Sequence, residues 1–334
     1  MAKLSPFSRR DMLKAGGASA LLAGAGGVGL VGAAEHSHAK AAMKKVQAPG
    51  FYRFTVGAFE LTVVSDGNLL LPTKLMAGNV PGAQLAALLK AYYLDPSEHF
   101  SHLNLCLINT GESIILVDTG AGIDFQPTAG KLLQNLEAAG YAADEIDHVI
   151  LTHGHPDHIW GIMDTFEEVP RYANAEYYIS KPEWEFWTAE NAADQLAEPF
   201  RFFAKGARDS LLPVSSRTKR IASDAEIVPG VRVIPTPGHT PGHVSVIVES
   251  KSDKLLITGD AVNHAHISFE HPEWYPGVDM QPELAEKSRR ELLELAASEA
   301  MLVAGYHLPF PGLGRVVRKG RNYRWIPAVW EWEV

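Results

Sequence analysis

The sequence predicts an α/β fold built from two mixed β-sheets with helices on their outer faces. Three observations predict it. Strand-like and helix-like stretches alternate along the chain, yet many consecutive strands are joined by tight turns, which one doubly wound parallel sheet does not allow. Beyond residue 45 there is no internal repeat, low-complexity tract or Pro/Gly-rich linker, so residues 42–334 read as one domain. A hydrophobic fraction of 46% and a charged fraction of 21% leave ample material for a large core.

Each element follows from its local pattern. "FYRFTVGAFELTVVSDGNLLLP" (51–72) reads as two strands with turns at Gly57 and at Asp66-Gly67. "PGAQLAALLKAYY" has helical spacing, and "HLNLCLINTGESIILVDTG" reads as two strands about a turn at Thr110-Gly111. "PTAGKLLQNLEAAG" predicts a helix opening after Pro127 and closing at Gly140. "DEIDHVILTH" is a buried strand, and the stretch from about 182 to 212 is helical and aromatic. Three strands follow in "VRVIPTPGH", "HVSVIVES" and "DKLLITGD"; then comes a helix over "PELAEKSRRELLELAAS" and a last short strand in "MLVAGYH".

The first 41 residues read as an address rather than as fold. "SRRDMLKAGG" has paired arginines, a polar residue, two apolar residues and a lysine, and resembles the twin-arginine export signal. Residues 15–34 carry no charge, but their many glycines make a poor spanning helix, so no stable membrane anchor is expected. Small-residue cleavage sites lie between Ala33 and Ala42, and His36 and His38 fall within this leader. The expected location is periplasmic or secreted, with the twin-arginine machinery as partner of the precursor.

Residues 1–33 hold four cations against one acid, so the formal charge of −9 becomes −12 for the rest of the chain. That balance argues against nucleic acid or anionic membrane surfaces as partners. The single cysteine, Cys106, excludes an internal disulfide and reads as a small buried hydrophobe.

Histidines and aspartates gather where strands end. "LTHGHPDHIWG" delivers His153, His155, Asp157 and His158; "TPGHTPGH" brings His239, "LLITGD" Asp260 and "VAGYH" His307. Loops at strand ends are where a rigid sheet can make functional groups converge. Gly154 and Pro156 force a turn that lets His153 and His155 point at one ion, while Asp157 and His158 lie past the bend, at the start of a helix, and can face a second. Imidazole and carboxylate suit zinc, iron, manganese or cobalt. Two such ions about 3.5–4 Å apart can trap a hydroxide as nucleophile at neutral pH. Taken alone, the 153–158 stretch could be a polar loop; the three distant partners favour metal.

The H-x-H-x-D-H run, with the later His, Asp and His in that order, resembles the metallo-β-lactamase superfamily. "PGFYRFTVGAFELTVVSDG", "LINTGESIILVDTGAG", "GHTPGHVSVIVES" and "GYHLPFPGLGRVVRKGRNYRWIP" resemble its methyl parathion hydrolase and quorum-quenching lactonase branch. The resemblance implies an αββα sandwich and two divalent metal ions, zinc foremost. It puts one ion on His153, His155 and His239, the other on Asp157, His158 and His307, with Asp260 shared. It also implies that Asp118 supports a ligand histidine, that His243 is structural, and that the enzyme can be a homodimer.

The implied chemistry is attack of a metal-bridging hydroxide on a lactone or aryl ester, with Asp157 carrying the proton to the leaving alkoxide. Neither a G-x-S-x-G run nor a cysteine at the metal loop offers another nucleophile. Metallo-β-lactamases proper generally lack a bridging aspartate at the place of Asp260, which disfavours β-lactam hydrolysis. Trp184, Trp187, Phe202 and Phe203 have the spacing of a packed helix pair, yet the resembling enzymes wall their cavity with aromatics from this insertion. Trp187, Phe202, His264 and His266 are therefore candidate pocket residues, whereas Phe310 and Trp325 read as packing. His264 and His266 depart from the parathion hydrolases, where this region is more apolar; that sets organophosphate triester hydrolysis second to lactones. A mononuclear-iron dioxygenase of the same fold is the alternative from another class, and His158, completing a second site, argues against it. A non-enzymatic binder would have lost ligands that this chain keeps.

Overall fold

The computed structural model describes residue 43 and residues 47–334, so the leader reading lies outside the described residues. Residues 48–334 make one compact unit. Its first sheet contains β1 (Phe51–Val56), β2 (Phe59–Pro72), β3 (Glu98–Asn109), β4 (Ile114–Val117) and β5 (His148–Leu151). A two-stranded ribbon, β6 (Met163–Asp164) and β7 (Val169–Pro170), stands apart, and β8 (Glu176–Ser180) and β9 (Thr218–Ile221) complete that sheet. The second sheet runs β10 (Glu226–Val228), β11 (Val231–Pro235), β12 (Val244–Ser250), β13 (Asp253–Ile257), β14 (Leu302–Ala304), β15 (Leu313–Lys319) and β16 (Asn322–Pro327). Both sheets are mixed. Pairings β4–β5, β5–β8, β8–β9 and β13–β14 are parallel, and the rest are antiparallel.

Helices α1 (Gly82–Ala91), α2 (Leu132–Ala138), α3 (Pro156–Ile159), α4 (Lys181–Thr188), α5 (Phe202–Leu211), α6 (Ile267–Glu270) and α7 (Pro282–Ser298) fill the connections. Inward-facing Val63, Cys106, Ile108, Val117 and Ile150 of the first sheet meet Val233, Val246, Val248, Leu255 and Ile257 of the second in one apolar layer. The outer face of the first sheet packs against α2, α4 and α5 through Leu136, Trp184, Trp187 and Phe203. That of the second packs against α7 through Leu292, Leu293 and Ala296. This is the αββα sandwich. Cys106 lies in the middle layer, where burial pushes its thiol up to about 12 and leaves it inert.

Two readings of the sequence are corrected. "MLVAGYH" is not the last strand, because β15 and β16 follow as a hairpin paired over Gly314–Pro327. Asp66-Gly67 is not a turn but a bulge inside β2, where the register against β3 shifts between Ser65 and Gly67. Gly67 has φ +101°, and a Cβ there would lie 2.2 Å from the Thr128 carbonyl oxygen. The bulge turns the Asp66 carboxylate inward to accept from Ala121 N (2.8 Å) and Leu132 N (2.7 Å). By doing so it caps α2, which for that reason opens at Leu132 rather than just after Pro127.

Candidate metal centre

The predicted residues converge at one rim of the sandwich. β5 ends at Leu151 and hands the chain to the His153–His158 turn, with Pro156 opening α3. Gly154 allows the turn to lie flat on Trp187, whose indole a Cβ would meet at 2.3 Å. His239 follows β11, Asp260 follows β13 and His307 follows β14.

Three sets of donor atoms each lie within 4.8 Å of one another: His153, His155 and His239; His153, His158 and Asp260; Asp157, His158 and His307. Asp260 links them. Its Oδ2 is 3.4 Å from His239 Nε2 and 3.1 Å from His307 Nε2, and its Oδ1 is 3.2 Å from His158 Nε2. Asp157 Oδ2 lies 3.4 Å from His307 Nε2 and 3.6 Å from His158 Nε2.

Three of the imidazoles are held by the nitrogen that faces away from the centre. His158 Nδ1–H donates to Asp118 Oδ2 (2.8 Å), His239 Nδ1–H to Asp279 Oδ1 (2.7 Å) and His307 Nδ1–H to the His102 carbonyl (2.8 Å). Each bond fixes the tautomer that offers an Nε2 lone pair inward, as metal-ligating histidines require. Asp118 is itself anchored by Thr152 N and Oγ1, both at 2.8 Å, and takes a left-handed backbone with φ +63°. Such a conformation in a residue other than glycine clusters at functional sites.

The donors fit cations. His153 Nε2, His158 Nε2 and Asp260 Oδ1 are buried without a hydrogen bond, an arrangement that buried polar atoms generally avoid and that a cation among them would relieve. Burial, with the neighbouring imidazoles, holds His153 and His155 well below the usual histidine range, so both are neutral ligands. Burial would do the same to His158 and His307, but the Asp260 and Asp157 carboxylates overcome it and raise both. Despite its burial, Asp260 is held well below the carboxylate range by His307 and His158. The field thus draws positive charge to the centre. A divalent ion entering it displaces protons from raised histidines, so affinity is expected to fall as the pH is lowered from neutrality. Calorimetry in buffers of different ionisation enthalpy should count the released protons; an affinity independent of pH would contradict this electrostatic picture.

Sequence reasoning missed the braces around the centre. Glu183, fully buried, accepts from Gly154 N (2.9 Å), Trp187 Nε1 (2.5 Å), Thr240 Oγ1 (2.9 Å) and Gly242 N (2.8 Å), tying the His153 turn to the His239 loop. Arg289, also buried, donates to Asp279 Oδ2 (3.1 Å), the Ala261 carbonyl (2.9 Å) and the Pro272 carbonyl (2.8 Å). The Tyr306 hydroxyl donates to the Asp157 carbonyl (2.6 Å), and its ring stacks on His158. His243 is structural as expected: burial takes it down to about 3, and neutral Nε2 accepts from Asp260 N at 2.9 Å.

His155, Asp157, Asp260 and His307 floor a cavity of about 350 Å³ whose walls include Leu69, Leu71, Phe125, Phe200, Phe202 and Phe203. Of the candidate pocket residues, Phe202 lines it. Trp187 does not, being fully buried beneath Gly154. His264 is buried, with Nδ1 accepting from His266 N (3.1 Å) and Ile267 N (3.2 Å), and His266 stacks on Tyr92. Neither belongs to the cavity wall, because the turn into α6 carries both away from it.

Residues 104–307 match the family model of the metallo-beta-lactamase superfamily. An N-acyl homoserine lactonase of Bacillus sp is 29% identical over 217 residues, 59% of this chain and 77% of that relative. Among solved structures, AidC, a dizinc quorum-quenching lactonase in complex with a product N-hexnoyl-L-homoserine, superposes with TM-score 0.79 at 29% identity, covering 84% of this chain and 98% of that one. Hydrolase AbOPH in the beta lactamase superfamily gives TM-score 0.79 at 31% identity, covering 86% and 100%. Its strand-end histidines and aspartates, its sandwich and these likenesses agree: the chain belongs to the metallo-beta-lactamase superfamily and is a metal-dependent hydrolase.

Proposed function

We propose that the protein is an exported dinuclear hydrolase that opens lactones and cleaves aryl esters. One observation carries the reading: seven histidines and aspartates converge around Asp260, whose oxygens lie 3.2 Å from His158, 3.4 Å from His239 and 3.1 Å from His307, and four of the seven floor an apolar cavity. His153, His155 and His239 would hold one ion, Asp157, His158 and His307 the other, and Asp260 both, with zinc the expected metal. The pair supplies a Lewis acid for the carbonyl oxygen and makes water nucleophilic near neutral pH.

The chain's own residues do the rest. The apolar walls take the acyl or aryl part of the substrate and exclude bulk water from the floor. Asp157 reaches both the floor and the cavity, with its backbone fixed by Tyr306. Its carboxylate takes the proton of the attacking water as the new C–O bond forms. It returns that proton to the alkoxide as the old C–O bond breaks, and in a lactone the leaving group stays attached.

A panel of acyl-homoserine lactones, aromatic lactones, aryl esters, a β-lactam and methyl parathion tests the reading on protein of measured metal content. Lactone or aryl ester turnover that a chelator abolishes and zinc restores is expected. Absence of lactone, ester and phosphotriester turnover with two ions bound would refute it, as would one iron with oxygen consumption.

Export rests on the Arg9-Arg10 motif and the uncharged stretch after it. Changing both arginines to lysine is expected to leave uncleaved precursor in the cytoplasm. Wild-type protein found only there, uncleaved, would refute export.

A further inference from the structure

Beside the metal-centre cavity lies a second, of about 330 Å³, bordered by Ile123, Trp160, Met163, Phe202 and Gly206. Phe202 is the one side chain on both walls. The loop after β4 straddles the divide, with Ile123 and Asp124 facing the second cavity and Phe125 and Gln126 the first. Phe125 packs edge-on to Trp160 at 5.3 Å, and Phe202 does so at 6.1 Å. Two aromatic rings therefore form the partition. Phe202 is 53% exposed, so its ring can turn without opening a void in the core. Beyond it, a Cβ on Gly206 would meet the Trp160 indole at 2.2 Å; lacking one, α5 lets that ring lie flat as a floor. At the mouth, the exposed Lys205 and Asp209 pair with each other, so neither charge is left to recognise a charged ligand.

Resting on the lactone and ester reading above, we infer that this second chamber receives the far end of a long apolar acyl chain whose reacting carbonyl sits at the metal centre, with Phe202 as the movable partition. The first cavity, of about 350 Å³, is near the lower end of the range for small-molecule sites, and the second would nearly double that space once the Phe202 ring swings aside. Its inner wall of Ile123, Trp160, Met163 and Phe202 is apolar, and of its charged side chains Lys205 and Asp209 pair with each other while Asp124 is exposed to solvent, so the inner wall selects an alkyl chain over a polar tail.

The test uses the metal-loaded protein and acyl-homoserine lactones from butanoyl to tetradecanoyl, with binding of the ring-opened acyl-homoserines measured by calorimetry. In the wild type, affinity and kcat/KM should rise by about threefold for each methylene that enters the second chamber. Ile123→Trp fills that chamber without touching the first, and is expected to lower the tetradecanoyl-to-butanoyl ratio of kcat/KM by about tenfold or more, chiefly through KM. Phe202→Ala should remove any step in the chain-length plot. Melting curves establish that both variants fold. A ratio in Ile123→Trp within about twofold of wild type would overturn the inference, as would an equal loss at every chain length in Phe202→Ala. Should no lactone or ester be turned over while long acyl-homoserines still bind in an Ile123-sensitive way, the chamber stands and the catalytic reading falls.

Discussion

Asp260→Asn is expected to lower kcat/KM on the best lactone by about a thousandfold, the scale of several kcal/mol of lost charge stabilisation. The reason is geometric. Among the described residues, Asp260 is the one carboxylate common to both groups of donors, with oxygens 3.4 Å from His239 and 3.1 Å from His307. Asparagine removes the negative charge and turns N–H groups toward nitrogens that should face a cation. The fold should survive, because the bond that holds this turn runs from the Asp260 backbone N–H to His243. Elemental analysis should then find fewer than two ions per chain in a protein that melts cooperatively. Near-native turnover with both ions retained would remove Asp260 from its place at the centre.

Arg289→Met is the second large effect. It breaks a fully buried pair and leaves the Asp279 carboxylate with His239 as its remaining partner and no countercharge from Arg289, a change that costs about 3–5 kcal/mol. In a chain of this size that corresponds to a fall in Tm of roughly 4–8 °C. Metal affinity should drop as well, by about 10- to 100-fold, because Asp279 is the group that orients His239. Adding Asp279→Asn separates the two roles. Removing both charges should restore most of the stability, whereas His239, without its carboxylate, should still bind metal weakly. A double variant that recovers affinity along with stability would show that Asp279 is packing and nothing more.

The difference between these residues also marks what was legible in the sequence. All seven donors sit just past an apolar run, and a strand that ends in His or Asp announces a group held at a sheet edge. Glu183 and Arg289 announce nothing of the kind, since they stand on helices. Their signal was present in another form: Arg289 lies among Ala285, Leu292, Leu293 and Ala296 on the buried stripe of α7, and Glu183 beside Trp184 and Trp187 on α4. A charge on a buried stripe must have a partner, though periodicity does not say which one. Asp66-Gly67 misled because the same dipeptide serves a hairpin turn and a bulge; only the distant amides of Ala121 and Leu132 decide between them. Trp187, His264 and His266 failed as wall residues for a related reason. An aromatic side of a helix can face core or cavity, and Trp187 went under the loop it supports.

The donors come from both halves of the sandwich: Asp157 and His158 follow β5 of the first sheet, whereas His239, Asp260 and His307 follow strands of the second. Cations gripped there would act as a clasp across the seam, joining segments of chain about 80 to 150 residues apart and adding to the apolar layer and to the polar ties through Glu183 and Tyr306. Chelation should therefore be felt mechanically as well as chemically. Amide hydrogens at the ends of β5 and β13 should exchange faster, while those at the outer strands β10 and β16 keep their pace.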